Sequence, residues 1–226
     1  IWKDRMIALI IFMIINISFW ACFEQAGTSL TLFADRNVDR FIFGWEMPAS
    51  MTQFFNPFFI ILFGSIFSVM WVKLSNIGKN PSIPLKFCFG IVQLAIGFLL
   101  TQVGFQFVNE AYQVPILTLV FLYMLHTSGE LFLSPIGLSM VTKLSPKSMA
   151  GTAMGAWFLS FAIANYVGGK IASFTGGHGG GEVTSAEAGL LQYLDTFATI
   201  GYVLLIIAAI IFILNKPIQK LMHGVE

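Results

Sequence analysis

The sequence predicts an all-α membrane protein, a bundle of six transmembrane helices, and three observations lead there. Of 226 residues, 57% are hydrophobic, 10% are charged and 24 are Phe, a composition that does not suit a water-facing surface. Six uncharged or nearly uncharged intervals reach the roughly 20 residues that cross about 30 Å of hydrocarbon. These intervals are apolar on all sides and do not alternate, which excludes transmembrane strands.

The first interval, 6–23, continues past Glu24 to about Ala34, giving a helix over 6–34 with one interior acid. The segment 35–46, carrying five charges, is the loop that follows. The second helix covers 50–73, and Asn-Ile-Gly-Lys-Asn-Pro-Ser-Ile-Pro at 76–84 ends it. A third runs over 86–107. The fourth, 114–143, passes through Glu130 and so carries the second interior acid. The fifth is 148–174, the Gly-rich 176–181 forms a loop, and the sixth is 193–215.

Lys and Arg set the orientation. With residue 1 on the cytoplasmic side, nine of the 12 basic residues fall there; only Arg36, Arg40 and Lys170 fall opposite. Both termini are therefore expected in the cytoplasm, most simply of a bacterial inner membrane. A formal charge of +1 argues against a nucleic-acid partner. Cys22 and Cys88 lie in apolar runs, so no disulfide framework is indicated. GxxxxGK[ST] is absent and no His pair has zinc-ligand spacing, which leaves ATP hydrolysis and metal catalysis without a signature. The chain begins with Ile1, and no secretory leader precedes its first span. It reads as a fragment of a longer protein.

Glu24 and Glu130 are the two of 11 acids well inside the spans, where insertion of a charge costs about 2.5–3.5 kcal/mol. Such acids by default mark a proton or substrate site in a polar cavity; the bland reading is a protonated acid bonded to a neighbouring helix. Trp20 shares a face with Glu24, and Gln25, Gly27, Thr28 and Ser29 follow. His126, Glu130 and Ser134 are likewise four apart, and Pro135 is expected to bend its helix and free the Leu131 carbonyl. The acids lie on the first and fourth helices, corresponding positions if the chain is two three-helix repeats of inverted topology.

Other features leave two readings open. Asn56-Pro57 either places an amide in the cavity or starts a helix with Pro in its first turn. Trp157, within Gly151-Thr-Ala-Met-Gly-Ala-Trp-Phe, is either a cavity wall or packing, the small residues suiting close helix contact. His126 is either a relay or packed against Glu130. His178, among glycines, reads as a loop tip rather than a metal ligand.

Phe19-Trp-Ala-Cys-Phe-Glu-Gln-Ala-Gly-Thr-Ser-Leu-Thr-Leu-Phe-Ala34 and Gly129-Glu-Leu-Phe-Leu-Ser-Pro-Ile-Gly-Leu-Ser139 resemble the seventh and tenth helices of proton-dependent oligopeptide transporters, the POT/PTR2 family of the major facilitator superfamily. Asn56-Pro57 resembles the eighth helix of that family. Val141-Thr-Lys-Leu-Ser-Pro146 and Met154-Gly-Ala-Trp-Phe158 resemble the loop and eleventh helix that follow. The likeness covers nearly the whole chain, and Gly-Glu-x-x-x-Ser-Pro with a Trp 27 residues after the Glu is its most specific part.

The resemblance implies the carboxy-terminal half of a proton-coupled symporter of di- and tripeptides. It casts Glu130 as the acid that receives the peptide amine, with Ser134 one turn on. Glu24 becomes the proton-coupling acid and Trp20 a lining residue beside it. Asn56 becomes a peptide-binding amide, and Trp157 the wall of a side-chain pocket. Protons are the coupling ion and no other cofactor is implied. The family's Glu-x-x-Glu-Arg-Phe motif and fourth-helix Lys belong to the amino-terminal half and have no counterpart here, so the basic partners of both acids are expected on that missing half. This chain alone is expected not to transport. Asp35 and Arg36, at the outer end of the first helix, are either an extracellular gate against that half or a solvated loop start. Competing readings are a same-fold carrier of nitrate or another small solute, and a transport-inactive assembly or receptor subunit.

Overall fold

A computed structural model describes residues 1–175 and 185–225; His178 and the glycines around it lie outside the described residues. Seven α-helices carry the fold: α1 (Trp2–Phe23), α2 (Ser29–Asn37), α3 (Phe55–Asn76), α4 (Ile83–Phe105), α5 (Ile116–Leu144), α6 (Ala150–Thr175) and α7 (Ala186–Met222). Five stretches are long and apolar enough to cross a membrane, α1 and α2 counting as one stretch, Trp2–Asn37. The 26-residue α6 is the other long helix. α7 passes well beyond its apolar interval at both ends, because hydropathy marks the hydrocarbon while backbone hydrogen bonding continues into the polar interface.

The stretch expected as one helix over 6–34 is broken. α1 ends at Phe23, Glu24–Gly27 is a single 3-10 turn, and Thr28 leaves helical geometry at φ −128°, ψ −95° before α2 starts. Gly27 disfavours the helix interior, and the amide and hydroxyls of Gln25, Thr28 and Ser29 compete for backbone groups. Gln25 is fully buried. Its Nε2 donates to the carbonyls of Ala21 (2.9 Å) and Gly168 (3.0 Å), and its Oε1 accepts from the Ser29 hydroxyl (2.7 Å). The Thr31 hydroxyl donates to the freed Ala26 carbonyl at 2.7 Å. The break is thus satisfied from inside and stitched to α6.

α4 packs between α5 and α7, α1 packs on α6 and α7, and α3 rests on α5. The α4–α5 contact runs along glycines seven residues apart. A Cβ on Gly90 would lie 2.8 Å from the Gly129 carbonyl, one on Gly97 would lie 2.5 Å from the His126 ring, and one on Gly104 would lie 2.4 Å from the Thr118 hydroxyl. Two backbones in such contact gain dispersion that larger side chains would forfeit. In α3 only Phe59 is buried. Phe59, Phe63, Phe67 and Trp71 recur every fourth residue on one face. Neighbouring rings stack at 5.5 and 5.7 Å, and Phe67 and Trp71 meet Phe132 of α5 edge-on at 5.4 and 4.9 Å.

The two ends of the chain meet at one end of the bundle, where the His223 ring lies 2.6 Å from the Asp4 carboxylate. At the opposite end short strands tie the loops. Val38–Asp39 pairs in parallel with Val114–Pro115, and Phe41–Ile42 pairs antiparallel with Trp45–Glu46. Phe43 and Gly44 turn that hairpin with positive φ (50° and 83°), as a two-residue hairpin requires. The Asn37 amide bonds the carbonyls of Tyr112 and Ala186, both at 3.2 Å. Glu187 beside Tyr112 holds that phenol above the usual tyrosine range.

Candidate functional site

The acid of α5 is held by a neighbouring helix. Asn56 donates through Nδ2 to Glu130 Oε2 at 3.0 Å and to the Thr127 hydroxyl at 3.1 Å. Asn56 and Glu130 are half-buried and Thr127 is fully buried. The amide reaches this position because α3 begins at Phe55. Pro57 therefore occupies the first turn, where a missing N–H removes no hydrogen bond. The Pro opens the helix and the preceding amide binds the acid. The carboxylate keeps its other oxygen for a further partner.

Glu24 sits in the 3-10 turn, half-buried, and is near enough to Glu130 for the two charges to interact. Its neighbour Phe23 is 6.3 Å from the ring of His126, one turn before Glu130. The helix interruption and the α5 acid therefore lie at one level of the bundle. None of the ion pairs among the described residues involves either acid.

An aromatic wall flanks this region. Trp20 is half-buried and packs on Phe23 (5.0 Å) and Phe161 of α6 (5.1 Å). Trp157 meets Phe161 edge-on at 6.4 Å. The Trp157 indole is only 2% exposed and fills the notch at Gly137, where a Cβ would approach it to 2.7 Å. It backs the wall and does not open on the polar region, which corrects the cavity-lining reading: Gly137 leaves room for the ring between α5 and α6. Phe161 stands between the two indoles. It went unnoticed in the sequence although its spacing of four from Trp157 placed it on the same face.

His126 is 1% exposed and turns away from Glu130 onto Phe98 of α4 at 4.6 Å, because Gly97 opens a slot for it. α5 remains one helix through Pro135, which is exposed. Ser134 is half-buried one turn beyond Glu130. Gly151 and Gly155 have nothing within 4 Å of an added Cβ, so they make no close helix contact among the described residues. Asp35 and Arg36 are both exposed. Asp35 faces Arg40 at 3.5 Å, and Arg40, the better-buried cation, also binds Glu46 at 2.9 Å. Among the described residues no group of three His, Cys, Asp or Glu is placed to hold a metal.

Two acids within the spans, one at a helix interruption and one bonded by an amide from α3, mark the polar region of an all-α membrane bundle. The profile described as PTR2, the POT family, matches residues 3–181, and the chain belongs to that family. It is 37% identical over 228 residues to the peptide transporter YePEPT of Yersinia enterocolitica subsp. palearctica, covering 99% of this chain and 43% of that protein. It is 34% identical to dipeptide and tripeptide permease A of Edwardsiella piscicida, covering 98% and 44%. Among solved structures, a peptide transporter POT in complex with sulfate superposes with a TM-score of 0.84 at 31% identity, covering 99% and 42%. A POT family transporter in complex with 5-aminolevulinic acid superposes at 0.80 and 27% identity, covering 96% and 42%. This chain spans about two fifths of the length of these relatives. The relatives' names describe transport, not a chemical transformation.

Proposed function

We propose that this chain forms one half of the central cavity of a proton-coupled symporter of di- and tripeptides that works by alternating access. The observation that carries the proposal is Glu130 held by Asn56, which also donates to the Thr127 hydroxyl, at the level of the interrupted helix bearing Glu24. A peptide ammonium pairs with the free oxygen of Glu130, and Ser134 offers a hydroxyl one turn further on. Every peptide shares that ammonium, so charge-assisted bonds to it admit many side chains. Trp20 lines the side-chain space, with Trp157 setting its position through Phe161. Glu24 takes and releases the coupling proton, and no other cofactor is needed.

A second six-helix bundle, in the length the relatives have beyond this match, closes the cavity and supplies the cations that receive the peptide carboxylate. Protonation of Glu24 breaks a cross-bundle ion pair, and peptide and proton bind the two orientations unequally, as coupling demands. Asp35 and Arg36 contribute to an outer gate through the Arg40 loop. The orientation that puts nine of 12 basic residues inside sets both ends of this chain in the cytoplasm of a bacterial inner membrane.

The test is uptake by the full-length transporter carrying Glu130→Gln. Affinity for a free-amine dipeptide should fall while an N-acetylated dipeptide is handled as before. Unchanged affinity for the free-amine peptide would remove Glu130 from amine binding.

A further inference from the structure

Lys86 opens α4 at the end of the bundle where the chain termini meet, and it is 7% exposed. Its ammonium rests 4.6 Å from the centre of the Trp71 ring. None of the ion pairs among the described residues includes it. Lys143 of α5 is close enough to repel it. A buried ammonium on an indole face, with no carboxylate paired to it among the described residues, is a place for an anion.

Two hollows lie beside this lysine and its indole partner. One, of about 370 Å³, is edged by Asn80, Ser82, Lys86 and Gln219, and about half of its wall is polar. The other, of about 520 Å³, is an apolar groove between α3, α4 and α5 formed by Phe67, Met70, Trp71, Phe89, Val92 and Phe132. Pro81 borders both, and Trp71 joins the groove to the ammonium. The polar hollow also receives the positive end of α4. A charged head with a hydrocarbon tail fits this pair of hollows, whereas a free anion would leave the groove empty.

We propose that Lys86 and the α3–α4 groove form a site for an anionic phospholipid, the headgroup phosphate on the ammonium and an acyl chain along the groove. Basic recesses between helices on the cytoplasmic face recognise anionic lipids in this way. The site is separate from Glu24 and Glu130 and does not rest on the transport reading.

The test uses the purified full-length protein, stripped of lipid in neutral detergent. It is titrated with phosphatidylglycerol, with phosphatidylcholine of the same acyl chains, and with inorganic phosphate, and retained lipid is read by native mass spectrometry. Phosphatidylglycerol should be preferred, and Lys86→Gln should weaken it about tenfold, the scale of one hydrogen bond to a charged group. Lys86→Arg should keep the preference. Val92→Trp, which fills the groove and leaves every charge in place, should weaken both lipids, and it decides the matter if Lys86→Gln fails to fold. Equal retention of the two lipids, an unchanged Lys86→Gln, or an unaffected Val92→Trp would overturn the proposal. Displacement of phosphatidylglycerol by an equal concentration of inorganic phosphate would overturn it in favour of a free-anion site.

Discussion

Asn56 can serve the peptide directly or serve it through Glu130, and a double-mutant cycle separates the two. Asn56→Ala removes the donor 3.0 Å from Glu130 Oε2 and the donor 3.1 Å from the Thr127 hydroxyl. A hydrogen bond to a charged group is worth about 1.5–3 kcal/mol and a neutral one about 1 kcal/mol. Asn56 and Glu130 are only half-buried, so water replaces part of the loss and the low end of the first range applies, about 1.5 kcal/mol, or tenfold in Kd. If Asn56 acts by orienting the carboxylate, its removal matters only while the carboxylate is there. In full-length transporter, dipeptide Kd measured calorimetrically should therefore rise about tenfold for Asn56→Ala and little further when Asn56→Ala is added to Glu130→Gln. A coupling energy above about 1 kcal/mol is expected, well outside the few tenths seen for independent sites. Additive losses would refute the reasoning and make Asn56 an independent peptide contact.

Glu24→Gln should abolish proton-driven accumulation and spare counterflow exchange; accumulation left intact removes Glu24 from the coupling path. Gly129→Ala pushes a methyl to 2.6 Å from the Gly90 carbonyl, an overpacking that costs about 1–3 kcal/mol and should lower the thermal midpoint in detergent. Gly155→Ala meets nothing within 4 Å and gains helix propensity, so the same chain should be unchanged or more stable. Gln25→Leu leaves the Ala21 and Gly168 carbonyls without their donor. With the acceptor for the Ser29 hydroxyl lost as well, it should cost about 3 kcal/mol, roughly 1 per lost bond, and raise hydrogen exchange at residues 24–29; unchanged exchange there would refute the stitching role.

Much of the architecture was legible because lipid imposes a coarse rule, long apolar runs with charges between them. The rule is blind to backbone breaks. Glu24–Gly27 is short and lies between apolar runs, so a span reads straight through it, and the donors aimed at Ala21, Ala26 and Gly168 show how the chain can leave the helix there. The two acids announced themselves by their cost, yet the bond from Asn56 to Glu130 spans 74 positions and no helical period encodes it. His126 and Trp157 were placed on the right helices but their directions were not legible. Each ring follows a glycine on a neighbouring helix, Gly97 and Gly137, and a slot has no signature in the sequence of the residue that fills it.

The partners around Glu130 are neutral, and that bears on what the acid can do. A salt bridge stabilises one protonation state and penalises the other, whereas an amide carries a donor and an acceptor and a hydroxyl can rotate to be either. Asn56, itself anchored on the Thr127 hydroxyl, can therefore hold Glu130 either charged or protonated. The ion pairs among the described residues lie at the two ends of the bundle, in the Arg40 loop and around Asp4, where charge is fixed and cheap. Glu24 is likewise placed in a turn whose carbonyls are met by Gln25 and Thr31. Its carboxyl is not needed to cap the break, and the proton exchange proposed for it calls for a group free of such a structural duty.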